Sequence, residues 1–126
     1  MRKPLVAIVV SLLASAAVTA ADAEMQIDLM QNIEDVNKSL ASNIALSNKA
    51  GATSDAKELT TMFAEVEAHF KQKGDAANAI ELATQSKNLS ADIVKLVGEN
   101  NFDAATTAST TLSRTCRTCH TFYKKE

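Results

Sequence analysis

GATSDAKELTTMFAEVEAHFKQKGDAANAIELATQSKNLSADIVKLVG, residues 51–98, decides the fold of this chain. Three glycines, Gly51, Gly74 and Gly98, stand in it at even spacing, and they are all the glycine the chain has. Between them lie Ala, Leu, Lys, Glu, Gln and Met, all good helix formers. Glycine is favoured just past a helix C-terminus because it accepts the left-handed backbone there. The three glycines therefore read as helix–helix junctions. Residues able to cap a new helix follow each one: Thr53 or Ser54, Asp75, and Asn100 or Asn101. The only proline is Pro4, so nothing downstream breaks a helix.

Working outward, the pattern predicts helices over about 24–49, 55–73, 76–97 and 102–124. Each carries one apolar stripe at spacings of three and four. The stripes are Leu29, Ile33, Val36, Leu40 and Ile44; Leu59, Met62, Phe63, Val66 and Phe70; Ile80, Ala83, Ile93, Val94 and Val97; and Phe102, Ala105, Leu112, Cys116, Cys119 and Tyr123. Strand-like alternation is absent. Short connections make consecutive helices antiparallel neighbours, so an all-α, up-down-up-down antiparallel four-helix bundle is expected. Ala104 to Thr111 is the weakest helical stretch, because threonine is a modest helix former.

Ahead of the bundle, Met1-Arg2-Lys3 is a short basic start and Leu5 to Val18 is apolar or small throughout. Val18-Thr19-Ala20 and Ala21-Asp22-Ala23 are small-residue cleavage sites. This reads as a secretory signal peptide over residues 1–23, cut after Ala20 or Ala23, and too short to span a membrane. The location implied is the periplasm, with no membrane span after cleavage. Residues 24–126 then form one small domain. Loss of Arg2, Lys3 and Asp22 leaves 11 basic and 14 acidic residues, a net charge near −3. That balance argues against nucleic acid as a partner.

The chemistry lies at the far end, in Cys116-Arg117-Thr118-Cys119-His120. C-x-x-C-H is the spacing of covalent haem attachment: two thiols add across the two vinyl groups of one haem, and the next histidine reaches the iron. These are the only cysteines, so none is left for a disulfide. A zinc site needs four ligands, and only His69 remains to help. A redox dithiol expects a βαβ setting that the pattern lacks. The expected cofactor is one covalent haem c, tethered by Cys116 and Cys119, with His120 as proximal ligand.

Helix one starts at the end of the bundle where helix four finishes. His120 and Met30 each lie about six residues from that end, roughly 9 Å along their helices. Met30 is thus the expected distal ligand. Met25 competes. Both sit about 70° off the stripe centre on opposite flanks; angle does not choose between them, and height favours Met30. Met62 lies too far along helix two, and Met1 leaves with the signal peptide. An iron with no sixth protein ligand is the remaining alternative. His69, beside Phe70 and several charges, reads as a partly solvated surface residue, with iron ligation the alternative because its helix end lies near the haem level.

This assembly resembles a class II c-type cytochrome, the cytochrome c prime family, in its low-spin methionine-ligated form. The likeness rests on the motif standing on the last of four helices, on Tyr123 three residues past His120, and on the basic Lys124 that follows. Met30-Gln-Asn-Ile33-Glu-Asp-Val-Asn-Lys38 also resembles the first helix of soluble b-type bundle cytochromes, whose methionine binds iron. The arginine common on the family's first helix has no counterpart, since the mature chain has none before Arg114.

The resemblance implies electron transfer without bond chemistry, so no enzyme is expected. The alternative it implies is a five-coordinate protein binding nitric oxide or carbon monoxide. Related bundles often form dimers through their first two helices. Arg114, Arg117, Lys124 and Lys125 surround the motif and suit an acidic redox partner. Helix-dipole compensation explains the two lysines equally well.

Overall fold

A computed structural model of the chain describes residues 18–74 and 76–123, with side-chain surroundings from Ile27 to Phe122 apart from Asp75. Most of the expected signal peptide, the Asp75 cap, the Met25 and Tyr123 side chains, Lys124 and Lys125 lie outside that description. Four helices are present: α1 Val18–Ala45, α2 Lys49–Lys73, α3 Ala77–Gly98 and α4 Phe102–Tyr123. Among the described residues there is no strand. No helix there is long and apolar enough to cross a membrane.

Each helix packs on its sequence neighbours, and α1 closes the ring against α4, giving a four-helix bundle. The cross-links run antiparallel. Asn43 near the end of α1 donates to Asp55 near the start of α2 at 2.8 Å. Asn37 of α1 donates to Ser113 midway along α4 at 3.2 Å.

The junctions fall where the glycine reading did not put all of them. Gly74 does hold the left-handed backbone, with φ +79°, and its N–H returns to Phe70 O. At the other two junctions the left-handed residues are Ser47 (φ 54°) and Asn100 (φ 58°). Each ends its helix in a Schellman motif. Asn48 N–H bonds Asn43 O and Ser47 N–H bonds Ile44 O; Asn101 N–H bonds Leu96 O and Asn100 N–H bonds Val97 O. The residue after each then starts the next helix. Asn48 Oδ1 accepts from Gly51 N at 3.2 Å, and Asn101 Oδ1 from Ala104 N at 3.2 Å. Asn101 is thus the cap expected there, while Asn48 replaces Thr53 or Ser54.

Gly51 consequently lies inside the first turn of α2. Its role there is space: a Cβ would stand 2.7 Å from Asn43 Cγ and 2.7 Å from Asn48 Nδ2. The glycine lets α2 leave the corner tightly against α1.

The bundle has two unlike ends. At the corner end the core is small-sided and closed: Ala52, Ala56 and Ala105 are fully buried with Val97, and Ile44 packs with them. Leu40, Leu59, Ile93 and Leu112 fill the middle. Burying each of these larger side chains contributes about 1.5–3 kcal/mol. Toward the start of α1 and the finish of α4 the core is Ile33, Phe63, Val66 and Ala83, with Met30 and Cys116 partly buried against it. Among neighbouring helices and the described residues, α2 and α3 are the most closely packed and α1 and α4 the least.

The weak stretch of α4 is helical after all. Thr106, Thr107, Thr110, Thr111, Thr115, Thr118 and Thr121 each donate their hydroxyl to the carbonyl four residues earlier. That bond satisfies the hydroxyl without leaving the helix.

Candidate haem-binding cavity

The open end holds a cavity of about 430 Å³, within the range of cofactor pockets. All four helices line it. From α2 and α3 come Phe63, Val66, Leu82, Ala83 and Ser86; from α1, Met30, Ile33, Glu34, Asn37 and Lys38; from α4, Ser113, Cys116, Arg117, Cys119 and His120. The four residues expected to hold a haem, Met30 on α1 and Cys116, Cys119 and His120 on α4, therefore line one space.

Their spacing explains how α4 presents three of them. Residues three and four apart share a helix face, so Cys116 and Cys119 rise from α4 along the cavity wall. His120 lies four positions after Cys116 and keeps to the same side. Both cysteines are free thiols. Helical i, i+3 spacing holds their Cβ atoms about 5–6 Å apart, beyond the span of a disulfide. Each is thus available for a bond of its own.

Burial raises both thiols. It pushes Cys116 up to about 11, with the neighbouring Cys119 adding to the effect, and raises Cys119 as well. A redox dithiol works through a lowered thiol pKa, so this environment speaks against that chemistry. Nor is there, among the described residues, a group of three or more His, Cys, Asp or Glu arranged to hold a metal ion.

Met30 is half-buried against the core and faces the cavity. Met62 is buried in the core away from the cavity lining. His120 and Arg117 are exposed residues of the cavity lining, and Arg114 is exposed one helical turn before Arg117. His69 is half-buried and edge-on to Phe70, with ring centroids 5.4 Å apart and planes at 83°. Its Nε2 is buried without a hydrogen-bond partner among the described residues, and His69 is absent from the cavity lining.

Two residues that the sequence reading passed over stand out. Asn37 lines the cavity, and its Oδ1 is buried without a hydrogen-bond partner among the described residues. Glu67 is buried between α2 and α3, where Lys71, Lys87 (2.7 Å) and Thr84 (2.9 Å) converge on it. Hydrogen bonds from Lys71, Lys87 and Thr84 hold its carboxyl down at about 2. Both break an apolar stripe: Asn37 falls between Ile33 and Leu40, and Glu67 between Phe63 and Phe70. A polar residue at a stripe position was the available signal.

The donor set suits a haem. Two separate thiols and a nitrogen ligand stand on one helix, a thioether sulfur on the facing one, and apolar walls lie between. Comparisons of the chain with protein-family models, with curated proteins and with solved structures found no match.

Proposed function

We propose that this chain is an exported electron-transfer protein carrying one covalent haem c. The observation that carries the proposal is the cavity itself, lined at once by Cys116, Cys119, His120 and Met30.

Each residue has a distinct part. Cys116 and Cys119 would tether the haem as two thioethers formed by addition of each S–H across a vinyl group. His120 and Met30 would hold the iron, and Phe63, Val66, Leu82 and Ala83 would keep water from the ring. When bound, the haem supplies a one-electron couple, Fe(III)/Fe(II). A histidine–methionine axis raises its potential. In this reading the bundle is of the cytochrome c prime type, periplasmic after loss of residues 1–23.

Arg114 and Arg117 are exposed beside the motif on an acidic chain. An acidic redox partner would dock there.

The test is spectroscopic. Protein exported in a host that matures c-type haem is purified, denatured and read as its alkaline pyridine haemochrome, then recorded intact in both oxidation states. A haem c signal with a sharp low-spin α band on reduction, and a methionine–iron charge-transfer band on oxidation, is expected. Absence of covalent haem overturns the reading. A five-coordinate spectrum with rapid carbon monoxide uptake removes Met30 from the iron and makes the protein a gas binder instead.

A further inference from the structure

We infer that the seam between α1 and α4 is a carboxylate slot, in which Lys38 and Arg117 hold the propionate edge of the haem and Asn37 donates from below. The inference rests on the haem reading above and concerns how the cofactor is oriented.

A haem is apolar across its faces but ends in two carboxylates. Burying a carboxylate without a partner is costly, so these must leave the apolar wall and meet cations or donors. The cavity offers one such direction. Its α2 and α3 walls contribute Phe63, Val66, Leu82, Ala83 and Ser86, and the Ser86 hydroxyl is committed to Leu82 O at 2.8 Å. Every charged group on the lining stands on the other two helices: Glu34 and Lys38 on α1, Arg117 and His120 on α4. Asn37 and Ser113 lie among them and bridge the helices at 3.2 Å.

With His120 assigned to iron, the charges left at the seam are one acid and two cations. Lys38 is exposed and bonded to Glu34 at 2.7 Å, a surface pair that water competes for. Its ammonium can turn to a carboxylate at little cost. Arg117 has no acidic partner among the described residues. It stands on the cavity lining with Lys38, Asn37 and Ser113.

Asn37 supplies the second, independent observation. One polar atom of its amide is buried at the seam without a partner. The Ser113 hydroxyl donates as readily as it accepts. Rotating the amide by a half turn therefore keeps the link to Ser113 and turns N–H toward the unpartnered position, where a carboxylate oxygen would accept it. Finally, α1 and α4 are the least closely packed neighbours, so this is where a polar edge can reach solvent.

The experiment uses the haem-loaded protein. Midpoint potentials are measured from about pH 5 to 9 for the wild type, Lys38→Gln, Arg117→Gln, Arg117→Lys and, as an exposed control on α2 away from the cavity, Lys57→Gln. The pH at which the potential bends reports a propionate ionisation. A cation nearby favours the charged carboxylate, so removing one raises that pH, by about one unit. Lys38→Gln and Arg117→Gln are expected to move the bend up, Arg117→Lys to restore most of it, and Lys57→Gln to leave it in place. Bends that coincide in wild type, Lys38→Gln and Arg117→Gln overturn the slot while leaving the haem reading intact. A chain that carries no haem c overturns both, and the pyridine haemochrome distinguishes the two failures.

Discussion

Glu67 gives the sharpest test of how the cavity walls are held. It is the one acid buried in the described core, and it ties α2 to α3 through Lys87 and Thr84 while Lys71 reaches it along its own helix. A carboxyl held at about 2 instead of 4.5 is worth at most about 3 kcal/mol by linkage. Lys71 is 57% exposed and Lys87 30%, so water screens both cations and we expect about 1–2 kcal/mol. The sign follows from the lowered pKa. As pH falls, the unfolded chain takes up the proton first, near 4.5. The contribution is therefore whole above that pH and drains away as pH drops through about 2. Urea unfolding of wild type and Glu67→Gln at neutral pH should show the variant less stable by this amount. The gap should narrow steadily from about pH 4.5 downward, because the wild-type carboxyl becomes as neutral as the amide. A gap that stays constant down to about pH 2, or no gap at neutral pH, would refute the assignment of this stability to the ionised carboxylate.

Met30→Leu keeps the volume and removes the sulfur; the haem-loaded variant should turn high-spin and bind carbon monoxide, read by its visible spectrum. Gly74→Ala places a side chain at φ +79° and should cost about 1 kcal/mol in chemical unfolding, through backbone strain alone. Gly51→Ala gains helix propensity but drives a Cβ into Asn43 and Asn48; we expect a net loss of about 1 kcal/mol, with the melting temperature falling instead of rising. Leu112→Ala removes a fully buried side chain and should cost about 3 kcal/mol. Changing Arg114, Arg117, Lys124 and Lys125 to Gln should flatten the dependence of electron-transfer rate on ionic strength, and an unchanged slope argues against docking at these residues.

The helices and their inward faces were legible because burial follows the stripe: Ile33, Leu40, Leu59, Phe63, Ile93 and Leu112 are all inside. The junctions were less so. A glycine signals a left-handed residue only when no other residue takes that conformation, and here Ser47 and Asn100 do. Asparagine does so readily, whereas serine has no such preference, so the first corner carried no clear local mark. Gly51 misled for a different reason, since the close approach it permits depends on Asn43, eight residues earlier on another helix. At the cavity, Met30 and His120 do line one space, although α1 begins at Val18 and not at the Glu24 from which the heights were counted. The α2 and α3 walls could not be counted in the same way. Which of their residues meet the cavity depends on how far apart the helices stand, a property of the packed bundle and of no single segment.

The two halves of the bundle differ in what keeps them together, and that difference bears on why the motif stands where it does. The α2–α3 pair is closely packed and ionically tied at Glu67, so it forms a fixed wall. Beside the cavity, α1 and α4 are the least closely packed neighbours among the described residues, and Asn37 bonds Ser113 between them. A ligand bonded to His120 and the cysteines on α4 and to Met30 on α1 would join the two helices that the polypeptide alone joins most weakly. In the proposed holoprotein the iron axis then completes the fold as well as the site. The same seam explains the polar residues that interrupt the apolar stripe of α1: a position too open to be sealed by packing is where a half-apolar, half-charged cofactor can sit with both of its characters satisfied.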